Sequence, residues 1–282
     1  FSIPQCWRYE RMQRGRGREH YQWNVDIWGS AGVEADVELL AVLCSFFGRV
    51  GLAPAEVGIR VSSRKVLQEV LDSVGVASEQ FAAVCIVVDK LGKLPPDEAA
   101  AQLGKLGLDN TAVATIQRVL GLRDLDALAA ALGDDSGAVA ELRSLWALAE
   151  GYDLTKWLEF DGSIVRGLAY YTGPVFEAHD RSGELRAICG GGRYDRLLSS
   201  FGGKDLPATG FGFGDMVILE LLKDRGRLPQ LAGSVQDVVF ALNPELRPVA
   251  MDVAGRLRAQ GRSVDLVLEE KRLKWVLKHA NR

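Results

Sequence analysis

The sequence predicts an α/β (α+β) protein built around an antiparallel sheet. Three observations support this prediction: alternating apolar and polar residues near the N-terminus, a second alternating region after residue 162, and a long helical stretch between them. With 282 residues, of which 48% are hydrophobic, the chain can bury a sizeable core and form two or three domains.

The first element is a predicted hairpin formed by residues 4–11 and 19–29, where polar and apolar side chains alternate around a glycine-containing loop. Side chains two residues apart share a face, so Arg8 and Glu10 lie together, as do Gln22 and Asp26. Such a face could be an ordinary solvated sheet surface. The loop, however, holds four arginines in eight residues, and this density favours binding of phosphate, whether of a nucleotide or a nucleic acid: Arg11, Arg14, Arg16 and Arg18.

The middle of the chain is predicted to be mainly helical. The pattern indicates a helix over 34–50, a strand over 57–61 and a helix over 64–74, followed by an Ala- and Leu-rich stretch to residue 151 with almost no strand signal. We interpret this stretch as a packed helical subdomain. Its balanced charge gives no sign of RNA binding.

Strands are predicted again after Gly162, with 164–178 and 185–189 forming a second hairpin and 209–214 leading into a helix over 215–224. The first of these strands carries Arg166, whose guanidinium suits carboxylate or phosphate, and the paired phenols of Tyr170 and Tyr171. A tyrosine-rich strand with a surface arginine is the simpler alternative. The three glycines at 190–192 are either a bulge or a place where a ligand lies against the backbone.

The C-terminal part is predicted to have the order βαβα, over 237–242, 245–260, 263–268 and 273–279, after a predicted linker at 222–234.

The composition of the chain limits the classes of function that it can have. A net charge of −3 argues against a general polyanion binder, and scattered cysteines and histidines predict no metal site and a reducing compartment. No stretch is apolar and long enough to span a membrane. The sequence opens inside a predicted strand, so it leaves open whether a targeting segment precedes it.

Two groups of residues resemble known signatures. The strand with Arg8, Tyr9 and Glu10, its basic loop and the strand over 22–29 resemble motif 2 of class II aminoacyl-tRNA synthetases. The segment RGLAYY at 166–171, followed by GGGRYD at 190–195, resembles the two signature segments of histidyl-tRNA synthetases. The resemblance covers most of the chain in the family's order.

The resemblance implies a class II catalytic core over 1–230, with a helical insertion at about 62–151 and a partial anticodon-binding domain over 235–282. It implies ATP-dependent activation of histidine through a histidyl-adenylate and transfer to histidine tRNA. ATP would enter with its associated Mg²⁺, and the family's members are homodimers. A cytoplasmic location and an organellar one, in the chloroplast stroma or mitochondrial matrix, both stay open.

The resemblance also implies residue roles. Arg8 and Arg166 would be catalytic, holding the α-phosphate and the histidine carboxylate. Gln22 and Asp26 would receive the α-amino group, and Tyr170 and Tyr171 the imidazole. ATP would contact a further set of residues: Arg8, Glu10 for the adenine amino group, Arg16, Gly191 and Gly192. Since the attacking carboxylate is already ionised, the reaction needs positioning and charge neutralisation and no general base.

Two departures from the family pattern bear on activity. Val217 stands where motif 3 has an arginine that grips the γ-phosphate, and we expect Arg16 to compensate. Nothing before Phe1 corresponds to motif 1. Two alternatives therefore stay open: a non-catalytic, synthetase-like regulatory subunit of histidine biosynthesis, or an inactive synthetase fragment. The intact segment at 166–171 and the βαβα tail argue against the regulatory subunit.

Overall fold

A computed structural model describes residues 1–88, 95–133, 135–164, 170–229 and 235–281. The chain forms two compact units, Phe1–Arg227 and Leu228–Arg282. The larger unit contains a seven-stranded sheet, and the smaller contains a two-stranded one, so each has its own strand framework.

The large sheet has the strand order β1-β2-β7-β6-β5-β3-β4 and is antiparallel except for the parallel pair β3 and β4. Its strands are β1 (Gln5–Trp7), β2 (Glu19–Trp28), β3 (Val57–Ser63), β4 (Leu158–Phe160), β5 (Pro174–Asp180), β6 (Cys189–Arg193) and β7 (Ala208–Gly214). The predicted antiparallel α+β architecture is therefore confirmed. The neighbouring strands β2, β7 and β6 are far apart in sequence, so tertiary folding assembles the centre of the sheet.

One face of the sheet, the core face, is apolar because alternate residues of β2 and β7 are aliphatic or aromatic. Trp23 meets Phe211 edge-on, with ring centroids 5.2 Å apart, and Phe213 packs on Phe46 of the first helix at 5.1 Å. Phe47 beside them is fully buried, and burial of such a side chain stabilises by about 1.5–3 kcal/mol. The opposite face of β2 carries polar side chains and is called the polar face below.

The helices of the larger unit cover the core face and continue its hydrophobic core. They are α1 (Glu34–Arg49), α2 (Arg64–Ser73), α3 (Ser78–Val88), α4 (Pro96–Lys105), α5 (Asn110–Leu120), α6 (Leu125–Leu132), α7 (Gly137–Gly151) and α8 (Asp215–Asp224). Side-chain caps begin several of them: Ser63, Asp109, Asp124 and Ser136 each accept a backbone N–H. Buried Leu103, Ile116 and Leu142 of the helical stretch belong to the same core as Phe176 of β5.

In the larger unit, the bounds predicted for three strands were wrong. The strand predicted over 164–178 begins only at Pro174, and residues 165–169 lie outside the described part of the chain. The strand predicted over 185–189 begins at Cys189, because the N–H groups of Glu184 and Leu185 donate to the buried Asp180 carboxylate and not to a neighbouring strand. The first strand spans three residues, not 4–11.

The smaller unit contains the predicted βαβα order with shorter strands. Its elements are β8 (Asp237–Val239), α9 (Arg247–Ala259), β9 (Val264–Leu266) and α10 (Leu273–Ala280), with the two strands parallel. Arg262 pairs with Asp237 at 2.6 Å, and His279 with Asp265 at 2.7 Å. Among its described residues the buried apolar side chains are Ala250, Ala254 and Val276.

Candidate active site

Glycines in two central strands make room on the polar face for the side chains of β2. Gly212 lies opposite Asn24, and a Cβ added to Gly212 would lie 3.0 Å from the Gln22 amide nitrogen. A Cβ at Gly210 would collide with the Asp26 carboxylate and lie 2.8 Å from the Tyr194 hydroxyl. A larger residue in either position would therefore displace the polar groups of β2.

A cavity of about 280 Å³ opens on this face between the basic loop and the glycine strands. Gly190 of β6 and Gly212 of β7 pair with each other and lie at its floor. Its ionisable lining residues are three arginines, two glutamates and a histidine: Arg8, Arg16, Arg186, Glu10, Glu177 and His20. Three guanidinium groups against two carboxylates leave a net positive site, which suits an anion.

The basic loop folds onto α8 and closes one side of the cavity. Gly15 has a positive φ of 68°, and a Cβ there would lie 3.3 Å from Val217. Arg14 points away from the cavity and donates to Glu220 at 2.9 Å and to Asp224 at 2.5 Å. Arg18 lies over the Tyr9 ring at 4.9 Å. Of the four loop arginines that we linked to phosphate, only Arg16 lines the cavity.

Glu10 forms ion pairs with two of the three arginines that line the cavity. Its carboxylate accepts from Arg16 and, at 3.4 Å, from Arg8, whose side chain is 64% exposed. Desolvation lowers the pKa of Arg16, and the nearby charges of Arg186 and Arg8 lower it further. Three guanidinium groups that line one cavity are like charges, so an anion bound among them would reduce their repulsion.

A second cluster surrounds Asp26 at the other end of the polar strand. The hydroxyl of buried Tyr194 donates to the Asp26 carboxylate. Desolvation and this hydrogen bond raise the pKa of Tyr194, so the phenol stays protonated. Tyr170 meets Tyr194 edge-on at 6.0 Å and lies 4.8 Å from Tyr171. The carboxylate thus lies beside aromatic rings, a combination suited to a small organic cation.

Arg193, inside the predicted GGGRYD segment, faces the core and joins α1 to the sheet. Its guanidinium donates to the Asp36 carboxylate at 3.0 and 2.6 Å, and to the carbonyl oxygens of Ser30 and Gly32 at 2.9 and 2.7 Å. Thr209 donates to the other Asp36 oxygen at 2.7 Å. Both partners of the ion pair are buried, so this arginine is structural and its neighbour Tyr194 faces the site.

The structure distributes the predicted site residues over both clusters. Arg8, Glu10, Arg16 and Gln22 line the cavity, and Asp26, Tyr170 and Tyr171 belong to the aromatic cluster. Arg166 lies outside the described residues.

The glycines predicted to bind ATP do not line the cavity; Gly190 does. Gly191 alternates onto the core face, where an added Cβ would come within 2.7 Å of Phe211. Gly192 pairs with Gly210 on the polar face, next to the aromatic cluster. Sequence reasoning also missed four residues of these clusters: Glu177, Arg186, Tyr194 and Gly212. Of these, Tyr194 had a signal in the sequence, because it lies in the GGGRYD segment that resembles a family signature.

Within the described ranges, no three His, Cys, Asp or Glu side chains come together as a metal site. None of the helices in those ranges combines the length and the apolar character needed to cross a membrane. None of the four cysteines, all of which lie in the described ranges, forms a disulfide.

An antiparallel sheet with helices on one face and an arginine-lined, glycine-floored site on the other defines the class II aminoacyl-tRNA synthetase core. Solved structures agree. The histidyl-tRNA synthetase from Nostoc sp. PCC 7120 superposes with a TM-score of 0.75 at 25% identity, over 99% of this chain and 67% of that one. A second neighbour, described as an ATP phosphoribosyltransferase regulatory subunit/histidyl-tRNA synthetase from Bacillus halodurans C, has a TM-score of 0.72 over 98% of this chain and 70% of that one. At 23% identity it shows the fold alone.

The family model described as Histidyl-tRNA synthetase matches residues 1–215, so the chain belongs to the histidyl-tRNA synthetase family. It is 54% identical over its whole length to the chloroplastic/mitochondrial histidine–tRNA ligase of Arabidopsis thaliana, of which it covers 58%. It is 39% identical to the histidine–tRNA ligase of Opitutus terrae, with 96% of this chain and 63% of that protein aligned. The chain thus spans about three fifths of the length of these relatives.

Proposed function

We propose that this chain carries the site at which histidine is activated by ATP to histidyl-adenylate, for transfer to histidine tRNA. The observation that supports this best is that the acidic, aromatic cluster and the cationic cavity share one face of β2. Gln22 and Asp26 are four residues apart, so the two subsites are separated by roughly 13 Å. An amino acid joined to a nucleotide through its carboxylate needs such a pair of adjacent subsites.

The proposed reaction is displacement at the α-phosphorus. A carboxylate oxygen of histidine forms a new bond to that phosphorus, and the bond to the oxygen that bridges to the β-phosphate breaks. Pyrophosphate leaves with the bond's electron pair. No proton has to move in this step, so the protein contributes orientation and positive charge. Arg8, lightly held by Glu10 and largely exposed, is free to reach the α-phosphate.

The cluster around Asp26 would recognise histidine by its charge and its shape. Asp26 suits the α-ammonium group, and Tyr194 keeps its carboxylate oriented. Gln22 adds a polar contact, although its amide donates to Asn24 at 2.5 Å in this structure. Tyr170 and Tyr171 would contact the imidazole, with a phenol able to donate or accept.

The nucleotide end would use Glu10 for the adenine amino group, Arg16 for phosphate, and the glycine strand near the adenylate, with Gly190 in the cavity lining and Gly191 and Gly192 following it. ATP would enter as its Mg²⁺ complex. Mg²⁺ is usually held by one or two carboxylates plus substrate phosphates, and the cavity lining offers Glu10, which pairs with Arg16, and Glu177, which pairs with His179 at 2.8 Å. Arg166 would approach the α-phosphate opposite Arg8. We also propose an organellar location, on the strength of the plant relative's name, and a homodimer, which the family resemblance implies.

We predict that the chain binds histidine much more tightly than phenylalanine. The benzyl side chain of phenylalanine cannot form hydrogen bonds, so each buried polar group that it leaves unpaired weakens the free energy of binding by around 1–3 kcal/mol. Asp26→Asn should weaken histidine binding by about ten-fold or more, since it removes the charge opposite the ammonium. Isothermal titration calorimetry with both amino acids measures this, with the exposed Asp205→Asn as control. Equal affinity for the two amino acids would contradict the prediction.

Histidine-dependent exchange of pyrophosphate into ATP tests the proposed reaction directly. The 282-residue chain should support exchange with histidine and not with phenylalanine. If it binds histidine but shows no exchange, the regulatory alternative would gain support; the fold-level likeness to the Bacillus halodurans protein is compatible with it. If it binds neither histidine nor ATP, the proposed function is wrong.

A further inference from the structure

Arg186, the third arginine of the cavity, has no role in the scheme above. It lies in the connection between β5 and β6, three residues before the glycine strand begins at Cys189. Its side chain is exposed and lines the cavity together with Arg8 and Arg16. An exposed arginine is most often simply solvated, so the case for a specific role depends on how this residue is held and what surrounds it.

The backbone before Arg186 is fixed by the buried carboxylate of Asp180. That carboxylate accepts from the N–H groups of Glu184 and Leu185, both at 3.2 Å, and from the Ser182 hydroxyl. On the far side of Arg186, the N–H of Ile188 donates to the Ala178 carbonyl oxygen at 2.7 Å. Fixed on both sides, the connection holds Arg186 at the cavity rim at a reduced entropic cost for binding.

In the part of the chain that the structure describes, no carboxylate pairs with the Arg186 guanidinium. Arg8 and Arg16 both contact Glu10, whereas Arg186 makes no ion pair within the described ranges. Its field reaches Arg16, whose pKa is lowered in part by Arg186. A guanidinium held beside two others without a carboxylate of its own is suited to a multiply charged anion.

Another position in the lining of the same cavity lacks a cation that the family pattern has there. Val217, buried in the first turn of α8, lines the cavity where the family pattern has an arginine for the γ-phosphate. We expected Arg16 to compensate, and it lines the cavity, but the Glu10 carboxylate already offsets part of its charge. Of the three arginines in the cavity lining, Arg186 is the one with no ion pair among the described residues.

We propose that Arg186 binds the β- and γ-phosphates of ATP and supplies the charge missing at Val217. This inference rests on the proposed function. In the adenylation step, the negative charge that leaves with the broken phosphorus–oxygen bond resides on pyrophosphate, and Arg186 stabilises it there. The residue is a binding residue for the leaving group, with no contact to the histidine end of the site.

Titration calorimetry of the 282-residue chain with ATP, AMP and inorganic pyrophosphate separates this role from a structural one. Arg186→Ala should weaken ATP and pyrophosphate about ten- to a hundred-fold, the size expected for a lost charge-assisted contact, and leave AMP and histidine within about two-fold. Arg186→Lys should recover part of the loss, because it keeps the charge without the fork. Arg196→Ala, an exposed arginine outside the cavity lining, is the matched control.

Several results would overturn the proposal. Arg186→Ala that binds ATP and pyrophosphate like the wild-type chain excludes the role, as does a variant that weakens AMP and histidine equally, since that pattern indicates a general disturbance of the site. A wild-type chain that binds neither ATP nor pyrophosphate excludes it too. The pyrophosphate exchange assay tests the proposed function independently of Arg186. If the chain binds ATP through Arg186 but shows no histidine-dependent exchange, the proposed reaction is wrong and the phosphate-binding role of Arg186 still holds.

Discussion

Arg193→Met should lower the free energy of unfolding of the larger unit by about 3–5 kcal/mol, because it leaves the Asp36 carboxylate buried without its counter-charge. The loss is large beside a typical stability of about 5–15 kcal/mol. The carbonyl oxygens of Ser30 and Gly32 would also lose their donor. Urea unfolding followed by tryptophan fluorescence measures the change.

Two control variants make this expectation specific. Arg143→Met removes an exposed arginine that pairs with Asp126 at 3.1 Å, and exposed pairs contribute about 0–1 kcal/mol. The double variant Asp36→Leu with Arg193→Met removes both charges and should be more stable than Arg193→Met alone. If Arg193→Met costs no more than Arg143→Met, the buried ion pair does not stabilise the attachment of α1 to the sheet.

Arg8→Lys should reduce the maximal rate of histidine-dependent pyrophosphate exchange about 10²- to 10³-fold, with a smaller effect on the KM for ATP. Lysine keeps the charge but cannot present two parallel donors to the phosphate oxygens as negative charge shifts during displacement. The split between rate and KM distinguishes stabilisation of the transition state from ground-state binding. Initial rates over a range of ATP concentrations provide both quantities.

Arg11→Lys is the matched control for that experiment, since Arg11 is an exposed arginine of the same segment that does not line the cavity. It should leave both parameters near the wild-type values. Equal losses in the two variants would mean that the segment acts through its total charge, and Arg8 would then have no special position.

Much of the fold was predictable because local patterns decide it. Alternation along 19–28 and the aromatic and glycine alternation along 208–214 each specify a strand with one apolar and one polar face. The helix Asp215–Asp224 begins and ends at the predicted residues, since a glycine at Gly214 precedes it and an acidic first turn starts it. The resemblance of 166–171 and 190–195 to family signatures also predicted the family, which the family model confirms.

The site depended on contacts that no local pattern encodes. The partners of the loop arginines were not predictable, because Glu220 and Asp224, which bind Arg14, are about two hundred residues away. Arg193 and Tyr194 are neighbours in sequence but point to opposite faces of the sheet, Arg193 into the core toward Asp36 and Tyr194 toward Asp26. Only the pairing of β6 with β7 determines which of the two faces each side chain reaches.

The sequence by itself determined the α+β class, the order of most elements, the family and the polar face of β2, because these follow from side-chain periodicity and short motifs. The tertiary structure alone decided which glycines lie at the floor of the cavity, which of the cavity arginines pair with Glu10, and that Arg186 and Val217 line the same cavity. These features arise where strands distant in sequence become neighbours, and the electrostatic environment of a side chain is set by the groups around it in space.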